Sequence, residues 1–451
     1  MKQSKGQTRL ANGLSYGIIA IFILMPFHAV LTTWLASSVS HFDLIRIWKD
    51  LLMVPLGLGA LWYAFSTGLF KRLGKLRSLI GLIFLYGLLV IVLGIWAILA
   101  HRVNASALLY GWLNDLQYLA FFVIVLLVSA GKPLKPIWRQ LLLVPASIVV
   151  LFGLLQHYVL PHDFLRHFGY GPGSLPTYET VDQKPAYIRL QSTLRGPNPL
   201  GAYLIVIVTS IAAILKKSKR YRTVLSLFVA GSLMVLFFTY SRSALLGTGL
   251  AVVVILWLNL QGLNARRVFY IGVAGLLTLS VGGILLLRHN DRAQNIFFHT
   301  DEHSRSPESS NQKRSSALKS GLEDVWHEPL GRGPGTAGPA SVRNNHPARI
   351  AENYYLQIGQ ELGIVGLGLF LAINLYLVYF LWQQRNDMPS AVLLASFIGI
   401  SFVNLLSHAW SDDTIALIWW GLAGLALSSA ILNTNKVNAP KSRDKNYQKL
   451  S

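Results

Sequence analysis

Arginine is the side chain best matched to phosphate, and this chain places three arginines where apolar runs begin. Arg189 and Arg195 bracket the stretch Arg189-Leu-Gln-Ser-Thr-Leu-Arg195-Gly-Pro-Asn198-Pro-Leu-Gly201, whose Pro-Asn-Pro turn opens one such run. Arg242 is the single charge between two apolar stretches in Phe238-Thr-Tyr-Ser241-Arg242-Ser-Ala-Leu-Leu-Gly247. A guanidinium stays charged and pairs bidentately with phosphate oxygens. Together the three would hold a diphosphate and stabilise the charge that grows on it as it leaves, with no metal. The bland alternatives are a headgroup-level arginine in a two-helix turn for Arg242 and solvated loop charges for Arg189 and Arg195.

An acceptor hydroxyl attacking such a donor needs a base. Glu352, beside Asn353 at the start of an apolar run, is the best-placed carboxylate, with His346 as runner-up. A helix-opening carboxylate favoured by the macrodipole is the alternative reading of Glu352, and a plain loop histidine that of His346. Asn114, Asp115 and Gln117 fall inside another apolar run and either line a cavity or pair for fold integrity. His408, Asp412 and Asp413 share a short loop, but no metal-binding spacing of the H-E-x-x-H kind accompanies them, so no metal is expected.

These groups are positioned by a membrane protein. The 451 residues are 53% hydrophobic and 13% charged, with a mean hydropathy of +0.46, which does not suit a soluble globule. About twelve runs are long enough to cross some 30 Å of hydrocarbon. They cover 13–36, 50–67, 78–100, 106–129, 138–160, 198–215, 223–240, 243–260, 268–287, 354–383, 389–409 and 414–433. The first lacks a small-residue cleavage site and is expected to stay as an anchor. The expected fold is therefore all-α and polytopic, a single integral membrane domain over 1–451.

Short cytoplasmic segments carry the positive excess. Clusters such as Lys71–Arg77, Lys132–Arg139 and Lys216–Arg222 fall on one side, together with both termini and the basic tail 434–451. The net charge of +21 is thus explained by topology, and no nucleic-acid module stands apart from the spans. Zero cysteines exclude disulfides and thiolate chemistry. Two long segments face outward on this reading. Segment 161–197 is a turn-rich polar loop carrying the arginine motif. Segment 288–353 holds a short amphipathic helix over Ser315–Trp326 and then the Glu328-Pro-Leu-Gly331-Arg-Gly333-Pro-Gly335 turn. Both would build an extracytoplasmic cap.

Four blocks carry a family resemblance: Arg189–Gly201, Phe238–Gly247, Trp326–Gly335, and Glu352-Asn353-Tyr-Tyr355-Leu356-Gln357 running on to Glu361-Leu-Gly363-Ile-Val-Gly366. In order and spacing they resemble the O-antigen ligase and polymerase superfamily of membrane glycosyltransferases. The resemblance implies glycan transfer, inverting and without a cofactor, from an undecaprenyl-diphosphate-linked donor to a glycan or glycolipid acceptor. It places the reaction on the outer face of a bacterial cytoplasmic membrane. Arg189, Arg242 and Glu352 are then the candidate catalytic residues, and Arg195, Asn198, Asn353, His346 and Tyr355 the substrate-binding ones. The chain departs from the ligases where Glu352 stands in place of a histidine before Asn-x-Tyr-Leu. A polymerase of the same superfamily is the near alternative and a transporter or flippase the distant one, since the polar groups gather in two unequal loops of the second half.

The cysteine-free chain makes the topology directly testable. Pro172→Cys should react with a membrane-impermeant maleimide on intact cells, whereas Lys219→Cys should react only after permeabilisation. The opposite pattern would invert the assignment.

Overall fold

The computed structural model describes residues 4–39, 42–181, 187–260, 262–287 and 310–437. Helices dominate: α1 (Lys5–Leu24), α2 (His28–Val39), α3 (Phe42–Arg46), α4 (Trp48–Ser66), α5 (Leu76–Leu99), α6 (Ala105–Gly131) and α7 (Trp138–Tyr158) form the first half. The second half holds α8 (Pro197–Lys217), α9 (Arg222–Phe238), α10 (Arg242–Leu258), α11 (Leu263–Leu287), α12 (Ser310–His327), α13 (Tyr354–Gln383), α14 (Met388–Asn404) and α15 (Asp413–Val437). The one sheet among the described residues is a hairpin of β1 (Glu179–Thr180) and β2 (Ile188–Arg189), antiparallel with Glu179 opposite Arg189.

Among the described residues, six helices are long and apolar enough to cross a membrane: Lys5–Val39, Leu76–Leu99, Ala105–Gly131, Lys135–Tyr158, Pro197–Lys216 and Tyr354–Gln383. The expected count of about twelve does not carry over directly. Runs 223–240, 243–260, 389–409 and 414–433 contain the shorter apolar helices Arg222–Phe238, Arg242–Leu258, Met388–Asn404 and Asp413–Ser429. Hydropathy counts apolar turn residues as span, whereas a 17-residue helix such as α9 reaches only about 26 Å. Runs 50–67 and 268–287 correspond to α4 and α11, neither of which is among the six. The first run is one span with a break at Met25–Phe27, where Pro26 lies in a single 3-10 turn. The amphipathic loop helix extends further than expected, as α12 over Ser310–His327. Residues 288–309 and most of the basic tail, 438–451, lie outside the described residues.

Core and periphery separate along single helices. In α5, Leu79, Ile83, Tyr86, Val90, Gly94 and Ala97 are buried at three- and four-residue spacing, while Phe84, Leu88, Val92, Ile95 and Leu99 are exposed. A helix apolar all round with one face uncovered is built for hydrocarbon on that face. The interior is made by α6, α8 and α15, with Tyr118, Trp410, Trp419 and Trp420 fully buried and the Tyr118 and Trp420 rings 5.2 Å apart.

Small residues let helix backbones touch where no hydrophobic force would pull them together. At the crossing of α10 and α14, Gly247 and Gly399 face one another, and a Cβ on either would collide with the carbonyl of the other. Nearby, a Cβ on Gly201 of α8 would come within 2.6 Å of the Ala244 methyl. Gly399→Val should therefore lower thermal stability by about 1–3 kcal/mol through overpacking, measured by melting of purified protein in detergent. Unchanged melting would remove this contact from the account of the fold.

Candidate active site

The segment from Ile188 to Gly196 is fixed almost atom by atom. Leu190 donates its amide to Phe238 O at 2.9 Å. The Ser192 amide reaches Gln156 Oε1 at 2.9 Å and its hydroxyl reaches Val149 O at 2.7 Å. Thr193 Oγ1 donates to Pro26 O at 2.8 Å, at the break between α1 and α2. Ser192 takes a left-handed φ of 52°, a strained conformation for a residue with a Cβ, retained because these bonds over-determine it. The following helix opens with Pro197 at its first position, where the missing N–H would have had no intrahelical acceptor.

Arg189 joins three elements. Its Nη2 donates to Asn198 Oδ1 at 2.7 Å, its Nε to Thr239 O at 3.0 Å, and its Nη1 to Glu179 Oε2 at 3.3 Å. It thereby ties the hairpin to the first turn of α8 and to the turn that leads into Arg242. In that turn Tyr240 has φ 51°, Ser241 donates its amide to Thr239 Oγ1 at 3.1 Å, and Arg242 begins α10 half-buried. A cavity of about 340 Å³ opens here, walled by Arg189, Tyr240, Gln156, His157 and His162. Sequence separation hides this meeting: Arg189 and the Ser241-Arg242 turn are some fifty residues apart along the chain.

Arg195 lies at the other end of the same segment and pairs with Asp412 Oδ2 at 3.3 Å. Asp412 Oδ1 accepts the amides of Thr414 at 3.1 Å and Ile415 at 3.4 Å, capping α15. Burial raises the Asp412 carboxyl above its usual range, against the pull of Arg195. Asp413 faces a different group, with Lys49 at 3.2 Å, His28 at 3.8 Å and Arg46 at 3.9 Å and Gln117 Nε2 at 2.5 Å. The two aspartates of the loop are thus occupied by cations. Arg46, Lys49 and His28 were not singled out from sequence; Lys49-Asp50 at the mouth of an apolar run was the available signal.

The residues expected from sequence on the acceptor side, Glu352, Asn353 and Tyr355, lie at the start of α13, a helix that breaks at Gly363. Asn353 caps α13, accepting the Leu356 amide at 3.0 Å and donating Nδ2 to Leu405 O at 3.1 Å. Glu352, with φ 50°, pairs with Arg314 of α12 at 2.5 Å. Arg314 is a partner that sequence reading missed. At Gly363 the backbone adopts φ 68° and ψ −170°, which interrupts the helix and which glycine tolerates. The Pro-Leu-Gly turn docks on this break: Arg332 N reaches Gln360 O at 3.0 Å, Gly333 N reaches Glu361 O at 2.8 Å, and Ile364 N reaches Pro329 O at 2.9 Å. The buried Glu361 carboxyl accepts the amides of Gly335 at 2.7 Å and Ala337 at 3.3 Å. Tyr355 is half-buried in the first turn of α13, and its neighbour Tyr354 meets Tyr118 hydroxyl to hydroxyl at 3.0 Å.

The fold therefore gathers Arg189, Asn198 and the Arg242 turn in one place. It links Arg195 to Asn353 through the 405–412 loop, which both contact. His346 stands apart, with Nε2 3.2 Å from His101 O, in a second cavity. Asn114, Asp115 and Gln117 are buried in α6, and Asp115 has no hydrogen-bond partner among the described residues.

His408 sits beside Arg195 with its Nε2 buried and unpartnered. Burial, then the Arg195 charge, pushes its pKa down to about 4 from 6.5. The folded protein thus binds this proton less readily than the unfolded chain. Above pH 6.5 there is no penalty; as pH falls from 6.5 towards 4, roughly 3 kcal/mol of stability should be lost. Melting across that range should fall less steeply in His408→Gln than in the wild type, and identical slopes would refute the assignment.

Residues 227–371 match a protein-family model described as O-antigen ligase. The match runs from α9 into α13 and takes in the Ser241-Arg242 turn, the Pro-Leu-Gly turn and the broken helix, but not the Arg189–Gly201 segment. No curated protein matches the chain at a significant level.

Proposed function

We propose that this chain carries out membrane glycosyl transfer of the ligase or polymerase kind, a reading supported by the match of residues 227–371 to the O-antigen ligase family model. The donor is a glycan on undecaprenyl diphosphate, which enters sideways from the lipid. Transfer takes place on the outer face of the bacterial cytoplasmic membrane, beneath a cap made by segments 161–197 and 288–353. Both termini lie in the cytoplasm.

The observation that carries this reading is Arg189, which lines a cavity together with Tyr240 and is bonded to Asn198 of α8 and to Thr239, in the turn that leads into Arg242. Arg242 and Arg195 bind the diphosphate from two helix mouths, and Arg189 lines the cavity while fixing the turn that presents Arg242. The acceptor hydroxyl attacks the anomeric carbon from the face opposite the diphosphate. The carbon–oxygen bond to the phosphate breaks, its electron pair stays on the diphosphate, and the anomeric configuration inverts. Arginines stabilise that growing charge where water is excluded, the largest contribution available to such a site. Glu352 takes the hydroxyl proton, with Arg314 keeping its carboxylate in place. Asn198, Asn353, Tyr355 and His346 contact the sugars. A lipid-anchored core as acceptor makes the enzyme a ligase; the end of a growing glycan makes it a polymerase, and product length separates the two.

Purified protein given lipid-linked glycan and candidate acceptors should release the carrier diphosphate as it forms product. Arg242→Ala and Arg195→Ala should each reduce turnover by about a hundredfold or more, in line with the loss of one transition-state donor, while membrane insertion stays near wild type. Near-normal turnover in both would refute the clamp, and vesicle transport without transfer would refute the enzyme. Glu352→Gln tests the base separately.

A further inference from the structure

A second cavity of about 400 Å³ lies away from the Arg189 junction, between the α5–α6 corner and the Pro-Leu-Gly turn. Three arginines wall it, Arg102, Arg332 and Arg349, together with Glu328, His101 and His346. Their charges do not balance. Arg332 pairs through Nε with Glu328. Arg349 is divided between Asp324 at 3.3 Å and Glu328 at 3.7 Å. The Arg102 guanidinium stacks over the Trp96 ring at 4.4 Å and has no carboxylate within ion-pair distance among the described residues. Arg332 and Arg349 thus share two carboxylates, and Arg102 adds a third positive charge. The crowding registers at Glu328, whose carboxyl is held below its usual range first by the Arg332 bond and then by the charges of Arg332, Arg349 and Arg102.

Hydrogen bonds pin the backbone of both walls. Arg332 rides on the turn whose amides are bonded to Gln360 and Glu361 of α13. Arg102 belongs to a corner stapled to the opposite wall: Asn104 donates Nδ2 to Arg343 O at 2.7 Å and to Asn345 Oδ1 at 3.0 Å, and the Asn344 amide nitrogen reaches Arg102 O at 3.0 Å. A polar cavity of this volume lined by three arginines is suited to a ligand, and its surplus positive charge favours anions. Glu328 occupies the position an external anion would take between Arg332 and Arg349.

We propose that this cup binds an anionic saccharide, the acceptor glycan, through a carboxylate or phosphate substituent, with Arg102 and Arg332 as its direct ligands. Only the identity of the bound molecule as acceptor rests on the glycosyl-transfer reading; anion selectivity follows from the cup alone. The cup holds the acceptor by a group remote from the reacting hydroxyl, so its loss raises the acceptor KM and leaves kcat in place.

The test is direct binding to the full chain in nanodiscs, without lipid-linked donor. The probes are a uronate-bearing disaccharide, a phosphorylated disaccharide and the neutral disaccharide of the same linkage. At least one charged probe should bind roughly tenfold tighter than the neutral one, and Arg102→Gln and Arg332→Gln should each erase that margin. Arg102→Lys, which keeps the charge, should retain part of it. Glu328→Gln should change binding in the opposite direction by removing the resident competitor. Equal binding of charged and neutral probes, or tight anion binding that survives both glutamine variants with unchanged melting, would overturn the proposal. Which charged probe wins identifies the substituent. Anion binding without any transfer activity would leave the cup standing and sink the enzyme reading instead.

Discussion

In hydrocarbon there is no water to satisfy a backbone group, so a helix that breaks there must pass its freed amides and carbonyls to another part of the chain. Helix α13 breaks at Gly363 and passes them to the turn at 329–337. That exchange fixes the whole region between α12 and α13. The turn presents Arg332, its two following amides close on the Glu361 carboxyl, and the chain then runs to Glu352 and Asn353 at the start of the same helix. A side chain on Gly335 would meet α6 at Ala107, and one on Gly111 of α6 would meet the turn's own backbone. The turn is therefore wedged between two helices, with no room to slide along either.

A second set of constraints comes from charge. Asp412 and Asp413 stand at the N-terminus of α15, where the helix macrodipole favours a carboxylate, and each holds a different cationic group: Arg195 on one side, Lys49 and its neighbours on the other. Ion pairs on a buried carboxylate stabilise a fold less than they fix its geometry. Here the geometry fixed is the direction of Arg195, on a segment that also carries Arg189.

The membrane class, the all-helical fold and the four blocks were legible in sequence because each has a local signature: long apolar runs, Pro-Asn-Pro before a helix, glycines three apart. Glycines 247 and 201 could be read as part of a pattern, but only the packing of α10 against α14 and α8 explains them. The number of crossings was less legible. A hydropathy run does not separate helix from the apolar turn at Thr239 and Tyr240, which shortens α9 and α10. The partners were not legible at all. Arg314 for Glu352, Glu179 and Thr239 for Arg189, and Lys49 for Asp413 are long-range pairings between ordinary-looking residues, and sequence spacing carries no information about them.

The loop from Leu405 to Asp412 contains only eight residues, yet it touches Asn353 through the Leu405 carbonyl at one end and Arg195 through the Asp412 carboxylate at the other. A loop this short, anchored at both ends, transmits displacement. Whatever draws Arg195 away from Asp412 also releases the carboxylate that caps α15 and shifts the support beneath the first turn of α13. On the proposed reading, a molecule that draws Arg195 from Asp412 at one half of the site would alter the affinity of the other, and by the same factor in both directions.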